Sequence, residues 1–204
     1  MYISTGEFSN QILICDNKMM KHIDKASLAS LPSRIEYITD FLEFGSEDAQ
    51  CLLDAAPILG PLVQSVVDAV YVKLFSYSIT KTAFIPKHKR QQISLDDEEI
   101  KIRKDFLSRW FVKLVTADYG DPKTWEYLDR VGARHAPKRD GDQPLIDYMH
   151  CAILLGWVVD LLIPAVIRHD GMDENRKIKL LTALNKIVWI QNDFFAKHYM
   201  KTSP

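Results

Sequence analysis

Residues 121–137 read Asp-Pro-Lys-Thr-Trp-Glu-Tyr-Leu-Asp-Arg-Val-Gly-Ala-Arg-His-Ala-Pro. The stretch carries its own punctuation. Asp121-Pro122 is a helix start, with Asp as N-cap and Pro at the first helical position, where its missing N–H costs nothing. Pro137 ends the helix. Between these marks Trp125, Leu128, Gly132 and His135 fall at i, i+3, i+7 and i+10, one face of an α-helix. That face is apolar except for its last member, a histidine.

The same period extends in both directions. Upstream, Ile100, Leu107, Phe111 and Leu114 form one stripe of a helix predicted from Ser94 or Asp96 to about 119–120. Before it, a segment from near Pro61 lines up Val63, Val67, Tyr71 and Leu74, with Val66, Val70 and Ile79 close by. Earlier still, Ser46 reads as an N-cap, with Glu47 and Asp48 in the first turn where the helix dipole favours acids. That helix is predicted to run through Leu52 and Leu53 to Pro57. Ile35, Ile38, Phe41 and Leu42 mark a first helix, stopped by Gly45. Downstream, a polar turn at 139–143 leads to a long apolar helix predicted over 144–167. Gly171 marks the next turn. A final helix from near Asp173 to Tyr199 carries Leu180, Leu184, Ile187, Val188, Gln191, Phe194 and Phe195.

No strand is predicted, because period-two alternation is absent. The pattern is all-α, with seven or eight helices, the last two long; helices this apolar must pack on one another. Residues 1–32 read as an N-terminal arm and 33–204 as one domain. The run 151–167 is apolar on all sides, but Asp160 sits mid-way and Pro164 near its end. A charge at mid-bilayer is costly, so the central helix of a bundle is expected rather than a membrane span.

Composition narrows the function. The 204 residues are 47% hydrophobic and 26% charged, with a net charge of −1. No cationic excess is available for a phosphate backbone, so a nucleic-acid partner is not expected. The run Lys87, His88, Lys89 and Arg90 reads as a solvated loop beside Asp96, Asp97, Glu98 and Glu99. Three unpaired cysteines, Cys15, Cys51 and Cys151, imply a reducing compartment, and no signal-peptide profile opens the chain; a cytoplasmic location is expected. Short catalytic signatures such as G-x-S-x-G, H-E-x-x-H and G-x-G-x-x-G do not occur.

Of the six histidines, His22, His88 and His198 are expected at the surface, His169 at a helix C-terminus where a cation is favourable, and His150 as a hydrogen-bonded core or interface ring. His135 differs. A haem iron needs one neutral imidazole nitrogen directed from a rigid element into an apolar slot, and the other ring nitrogen held by a fixed acceptor. The last turn of the 122–135 helix can meet both demands, and Gly132 one turn earlier would let a flat ring approach. A satisfied core histidine is the other reading. Tyr71, on the apolar face of its helix, could donate a hydrogen bond to a partly negative ligand, or could equally bond a backbone carbonyl.

These residues stand in an order that resembles the protoglobins and the globin domains of globin-coupled sensors. Phe44-Gly45-Ser46-Glu47-Asp48 resembles the start of that family's first globin helix, preceded by its extra N-terminal helix. Val66-Val67-Asp68-Ala69-Val70-Tyr71 is similar to its distal tyrosine helix, and Ser108-Arg109-Trp110 to a motif of its distal E helix. Trp125 to His135 resembles the proximal helix with its haem-ligating histidine. Ile146-Asp147-Tyr148 onward, and Trp189, Gln191 and Asn192, resemble the last two helices. The likeness spans roughly 33–200.

The resemblance implies a globin fold, a three-over-three helical sandwich with an N-terminal helical extension. It implies haem b, with His135 as the iron ligand and Tyr71 as the distal hydrogen-bond donor. Val70, Leu107, Phe111 and Leu154 would line the distal space. It further implies reversible binding of a diatomic gas (O₂, CO or NO), as sensor or carrier, and a homodimer through the two C-terminal helices. The sequence departs from the family where a tryptophan precedes the distal tyrosine (here Val70) and where two phenylalanines crowd the pocket (here Leu107 and Leu154), so the ranking of ligands does not carry over. A haem enzyme acting on NO or peroxide and a cofactor-free helical interaction protein are the alternatives.

Overall fold

The computed structural model describes residues 20–85, 93–138 and 146–200. The arm over 1–19 with Cys15, the basic run 87–90, and the turn 139–143 with Pro144 lie outside them. A 3-10 turn, Lys25–Ala29, precedes α1 (Leu31–Phe41). There follow α2 (Ser46–Leu59), a 3-10 turn Gly60–Leu62, α3 (Val63–Phe75), the short α4 (Ser78–Thr82), α5 (Glu98–Thr116), α6 (Pro122–His135), α7 (Tyr148–Ile167) and α8 (Glu174–Met200). No strand occurs among the described residues.

The capping chemistry explains most boundaries. The Asp121 side chain accepts from the Lys123 N–H at 2.9 Å, with Pro122 inside the first turn, as the sequence predicts. Asp173 Oδ1 accepts from Arg176 N–H at 2.8 Å and opens α8. At α2 the cap lies one residue earlier than expected. Gly45 holds the N-cap position, and Asp48 reaches back to its N–H at 3.0 Å. Glu43, just beyond α1, adopts φ 53°, a left-handed conformation that favours glycine. The Phe44 N–H donates to the Thr39 carbonyl at 2.8 Å and Lys186 Nζ to the Glu43 carbonyl at 2.7 Å, so the bend has two anchors.

Other boundaries also differ from expectation. Pro57 does not stop α2; it lies inside it, and the path runs on through the 3-10 turn into α3. Proline deprives the helix of one backbone hydrogen bond. Burial of Leu52, Ala55 and Leu59 against neighbouring helices offsets that loss. Helix α5 ends at Thr116, not at 119–120. The following turn is closed by side chains: Trp125 Nε1–H donates to the Tyr119 carbonyl at 2.9 Å and Thr124 to the Asp118 carbonyl at 2.6 Å. Ile79, expected near Val66 and Val70, is exposed on α4.

Helices α2, α5 and α6 form one layer and α3, α7 and α8 the other, in the expected globin arrangement. Contacts between α2 and α8, α3 and α5, and α6 and α8 join the layers. Helix α8 is the spine. Leu180, Ala183, Ile187, Ile190 and Phe194 are fully enclosed. Gln191, also fully buried, accepts from Trp110 Nε1–H and donates to the Leu128 carbonyl, each at 3.1 Å, tying α5 and α6 to α8. Arg34 forks onto Asp193 at 2.6 and 2.7 Å, and Lys186 meets Asp48 at 3.0 Å, fixing α1 and α2 to the same spine.

Helix α7 departs from the expectation of burial on all sides. It buries His150, Cys151, Leu155, Val158, Leu162 and Val166, and it exposes Met149, Ile153, Ile163 and Ile167. By length and composition alone, Ser46–Phe75 and Tyr148–Ile167 are apolar enough to cross a bilayer. Both also contribute side chains to the shared core.

Among the described glycines, Gly132 has the closest packing around it. A Cβ there would meet the Phe194 carbonyl oxygen at 2.5 Å and its carbon at 2.7 Å. Helix propensity favours alanine over glycine by up to ~1 kcal/mol. Gly132→Ala is nevertheless expected to destabilise the protein by about 1–3 kcal/mol in urea unfolding, because α6 and α8 must move apart. A stabilised variant would contradict this packing.

Candidate functional site

A cavity of about 1040 Å³ opens between α3, α5, α6, α7 and α8. Its size is at the upper end of ordinary ligand pockets, which span ~300–1,000 Å³. Helical spacing brings the wall together. Val70, Tyr71 and Leu74 come from α3, and Arg103, Leu107 and Trp110 from α5. Val131 and His135 lie one turn apart on α6. His150 and Leu154 lie one turn apart on α7, and Phe195 of α8 closes the floor.

His135 stands at the C-terminal end of α6. Its Nδ1 lies 2.8 Å from the Val131 carbonyl oxygen, one turn earlier. A carbonyl can only accept, so Nδ1 carries the proton, and Nε2 is left as a free lone pair. Phe195 packs edge-on against the ring, with centroids 5.0 Å apart at 87°. The side chain is accessible, yet its imidazole pKa is pushed down, first by burial and then by the charges of Arg103 and Arg134, against the Val131 hydrogen bond. A ring that faces a cavity inside the molecule shows both properties. It stays neutral near pH 7, the form that binds a metal.

The helix end itself is held. The Tyr199 hydroxyl, near the C-terminus of α8, lies within hydrogen-bond distance of the carbonyls of His135 at 2.8 Å and Ile146 at 2.7 Å, which share its one proton, and its oxygen lies 3.6 Å from Cys151 Sγ. On the preceding turns of α6, Asp129 accepts from Lys197 Nζ and from His198 Nε2, each at 2.8 Å. Burial alone would raise the Asp129 pKa, but these two partners bring it below the ordinary carboxylate value. His198, expected at the surface, is therefore a mostly buried partner of α6.

Tyr71 is 5% exposed, and its hydroxyl bonds no protein atom among the described residues. Burial pushes its pKa up to about 12, with Arg103 opposing, so it remains a donor at neutral pH. Its ring meets Phe84 at 5.8 Å.

The structure thus brings His135, Tyr71, Val70, Leu107 and Leu154 around one cavity. Phe111 is not on it. It is buried in the core beside Trp110, with ring centroids 6.4 Å apart, and Trp110 takes its place on the wall. Gly132 is corrected too: the close approach it permits is to the Phe194 backbone of α8, not to a ligand. His150 is buried as expected, but its Nε2 has no hydrogen-bond partner among the described residues. Arg103, one turn before Leu107, could have been found from the α5 stripe. Phe84, beyond α4, carries no periodic signal.

Iron porphyrin fits these residues. Among the described residues no cluster of three or more His, Cys, Asp or Glu could hold a metal ion; the single donor at His135 suits a metal whose other ligands come with a macrocycle. The wall is largely apolar, as a flat macrocycle requires, and the exposed cations Arg109, Lys113 and Arg134 border it where carboxylates could be met.

The sequence model of the protoglobin family matches residues 31–203. No curated protein matches the chain in sequence. Among solved structures, the globin domain of the Geobacter sulfurreducens globin-coupled sensor resembles it with a TM-score of 0.65 at 19% identity, covering 81% of this chain and 97% of that one. At that identity the likeness speaks for the fold.

Proposed function

Because the chain belongs to the protoglobin family, we propose that it holds haem b through His135 and reversibly binds a diatomic gas (O₂, CO or NO), as a sensor or carrier. The observation that carries this reading is the free Nε2 of His135, on the wall of an apolar cavity that also holds the unpartnered hydroxyl of Tyr71. Haem would supply an iron with one further coordination position open to a gas. Everything else is the work of this chain. Val131 fixes the imidazole tautomer, and Phe195 and Tyr199 set the ring's direction and height. Val70, Leu107 and Leu154 keep the gas side dry, which strengthens any hydrogen bond made there. Tyr71 offers a donor that favours a partly negative ligand over neutral CO.

The exposed apolar stripe of α7, Met149, Ile153, Ile163 and Ile167, together with Ile178 and Trp189 of α8, supports a homodimer. Two copies pairing these helices would form a four-helix bundle about a two-fold axis. The free thiols Cys51 and Cys151 support a reducing, cytoplasmic setting.

The His135→Ala protein is expected to lose haem or its ferrous CO spectrum; a normal spectrum in that variant would remove the assignment. Tyr71→Phe should speed O₂ dissociation by roughly tenfold, about one hydrogen bond's worth, while CO dissociation changes far less. Equal effects on both gases would argue against a distal donor. Sedimentation should show a dimer for the native chain and a monomer for Ile153→Glu/Trp189→Glu; a native monomer would refute the pairing.

A further inference from the structure

The cavity contains a cation that gas binding does not need. Arg103 lies on α5 one turn before Leu107, so both face the same side of the cavity. It is half-buried, whereas the other cations of the wall, Arg109, Lys113 and Arg134, are exposed at its border. Its guanidinium stacks over Phe84, 5.2 Å from the ring centroid. Phe84 in turn packs against Tyr71. One aromatic ring therefore holds the guanidinium on the tyrosine's side of the cavity. Arg109 has its own partner in Asp105 and Lys104 has Asp68, while Arg103 pairs with no carboxylate among the described residues.

We propose, building on the haem reading above, that Arg103 and Tyr71 together form a site for a small monoanion on the side of the cavity opposite His135. A guanidinium presents a planar fork of N–H donors and a charge that never titrates near neutral pH. In a dry cavity both are worth more than in water. The phenol adds a second donor, and among the described residues the cavity lining carries one carboxylate, Glu99, against four cations, Arg103, Arg109, Lys113 and Arg134. The charge of Arg103 acts on both groups: it opposes the upward push of burial on the Tyr71 phenol and adds to the downward push on the His135 imidazole. The ferric protein then holds small inorganic anions more tightly than an apolar cavity alone would. Arg103 is the residue that sets this preference.

The test is spectral titration of the haem-loaded protein with sodium azide and sodium fluoride in the ferric state, and with CO in the ferrous state. For Arg103→Leu, anion affinity is expected to fall by roughly tenfold or more, with CO affinity within about threefold of the native value. Arg103→Lys should recover part of the loss, since it keeps the charge but not the fork. Three results would overturn the proposal. Azide and fluoride affinities could be equal in native and Arg103→Leu proteins. Anion and CO affinities could fall together, showing a collapsed cavity. Haem could dissociate faster with anion affinity unchanged, assigning Arg103 to the porphyrin's carboxylates. A native chain that takes up no haem is a separate outcome: it removes the haem reading itself, and the anion site with it.

Discussion

The hydrogen bond from His135 Nδ1–H to the Val131 carbonyl is the interaction on which the site depends. It needs no separate acceptor, because the Val131 carbonyl oxygen has two lone pairs and takes the ring N–H beside its helical partner, the backbone N–H of His135. It decides which imidazole nitrogen is free, and it does so within one helix, without help from a distant residue. Remove it and the ring could present either nitrogen, in more than one rotamer. The cavity would then have no fixed pole.

That local bond matters only if α6 itself cannot shift, and the structure spends much of its polar chemistry on this point. Gly132 lets α6 approach the α8 backbone closely. Gln191 ties the Leu128 carbonyl to α8. Asp129 holds Lys197 and His198, and Tyr199 grips the carbonyl of His135. The helix carrying the histidine is thus bound to α8 along its length, and α8 in turn is bound to α1 and α2 by Arg34–Asp193 and Lys186–Asp48. The opposite wall is built differently. There Tyr71, Phe84 and Arg103 meet by stacking, with the Tyr71 hydroxyl unbonded, so the polar capacity of that wall is left for a ligand.

The helical period carried much of this in the sequence. Asp121-Pro122 and Pro137 bracket α6 as written, and the i, i+3/i+4 pattern put Tyr71, Leu107 and His135 on inward faces. What periodicity could not show is which neighbour an inward face meets. Phe111 and Trp110 are adjacent and both buried; only the docking of α5 decides that the indole, not the phenyl ring, reaches the cavity. Gly132 was legible as a close approach, but its partner on α8 depends on a contact across 62 positions of sequence. Pro57 shows the reverse failure. A strong local stop signal was overridden by burial of Leu52, Ala55 and Leu59. The exposed side of α7 is not legible in the sequence, because an apolar residue reads the same whether it is buried or exposed.

The absorption spectrum of the purified native chain supplied with haem, reduced and then exposed to CO, addresses the central claim most directly. A haem held by one neutral imidazole predicts a stoichiometric Soret band in the ferrous protein that sharpens and shifts on CO addition. A chain that remains colourless, or whose Soret band matches free haem and ignores CO in the same way, would contradict it.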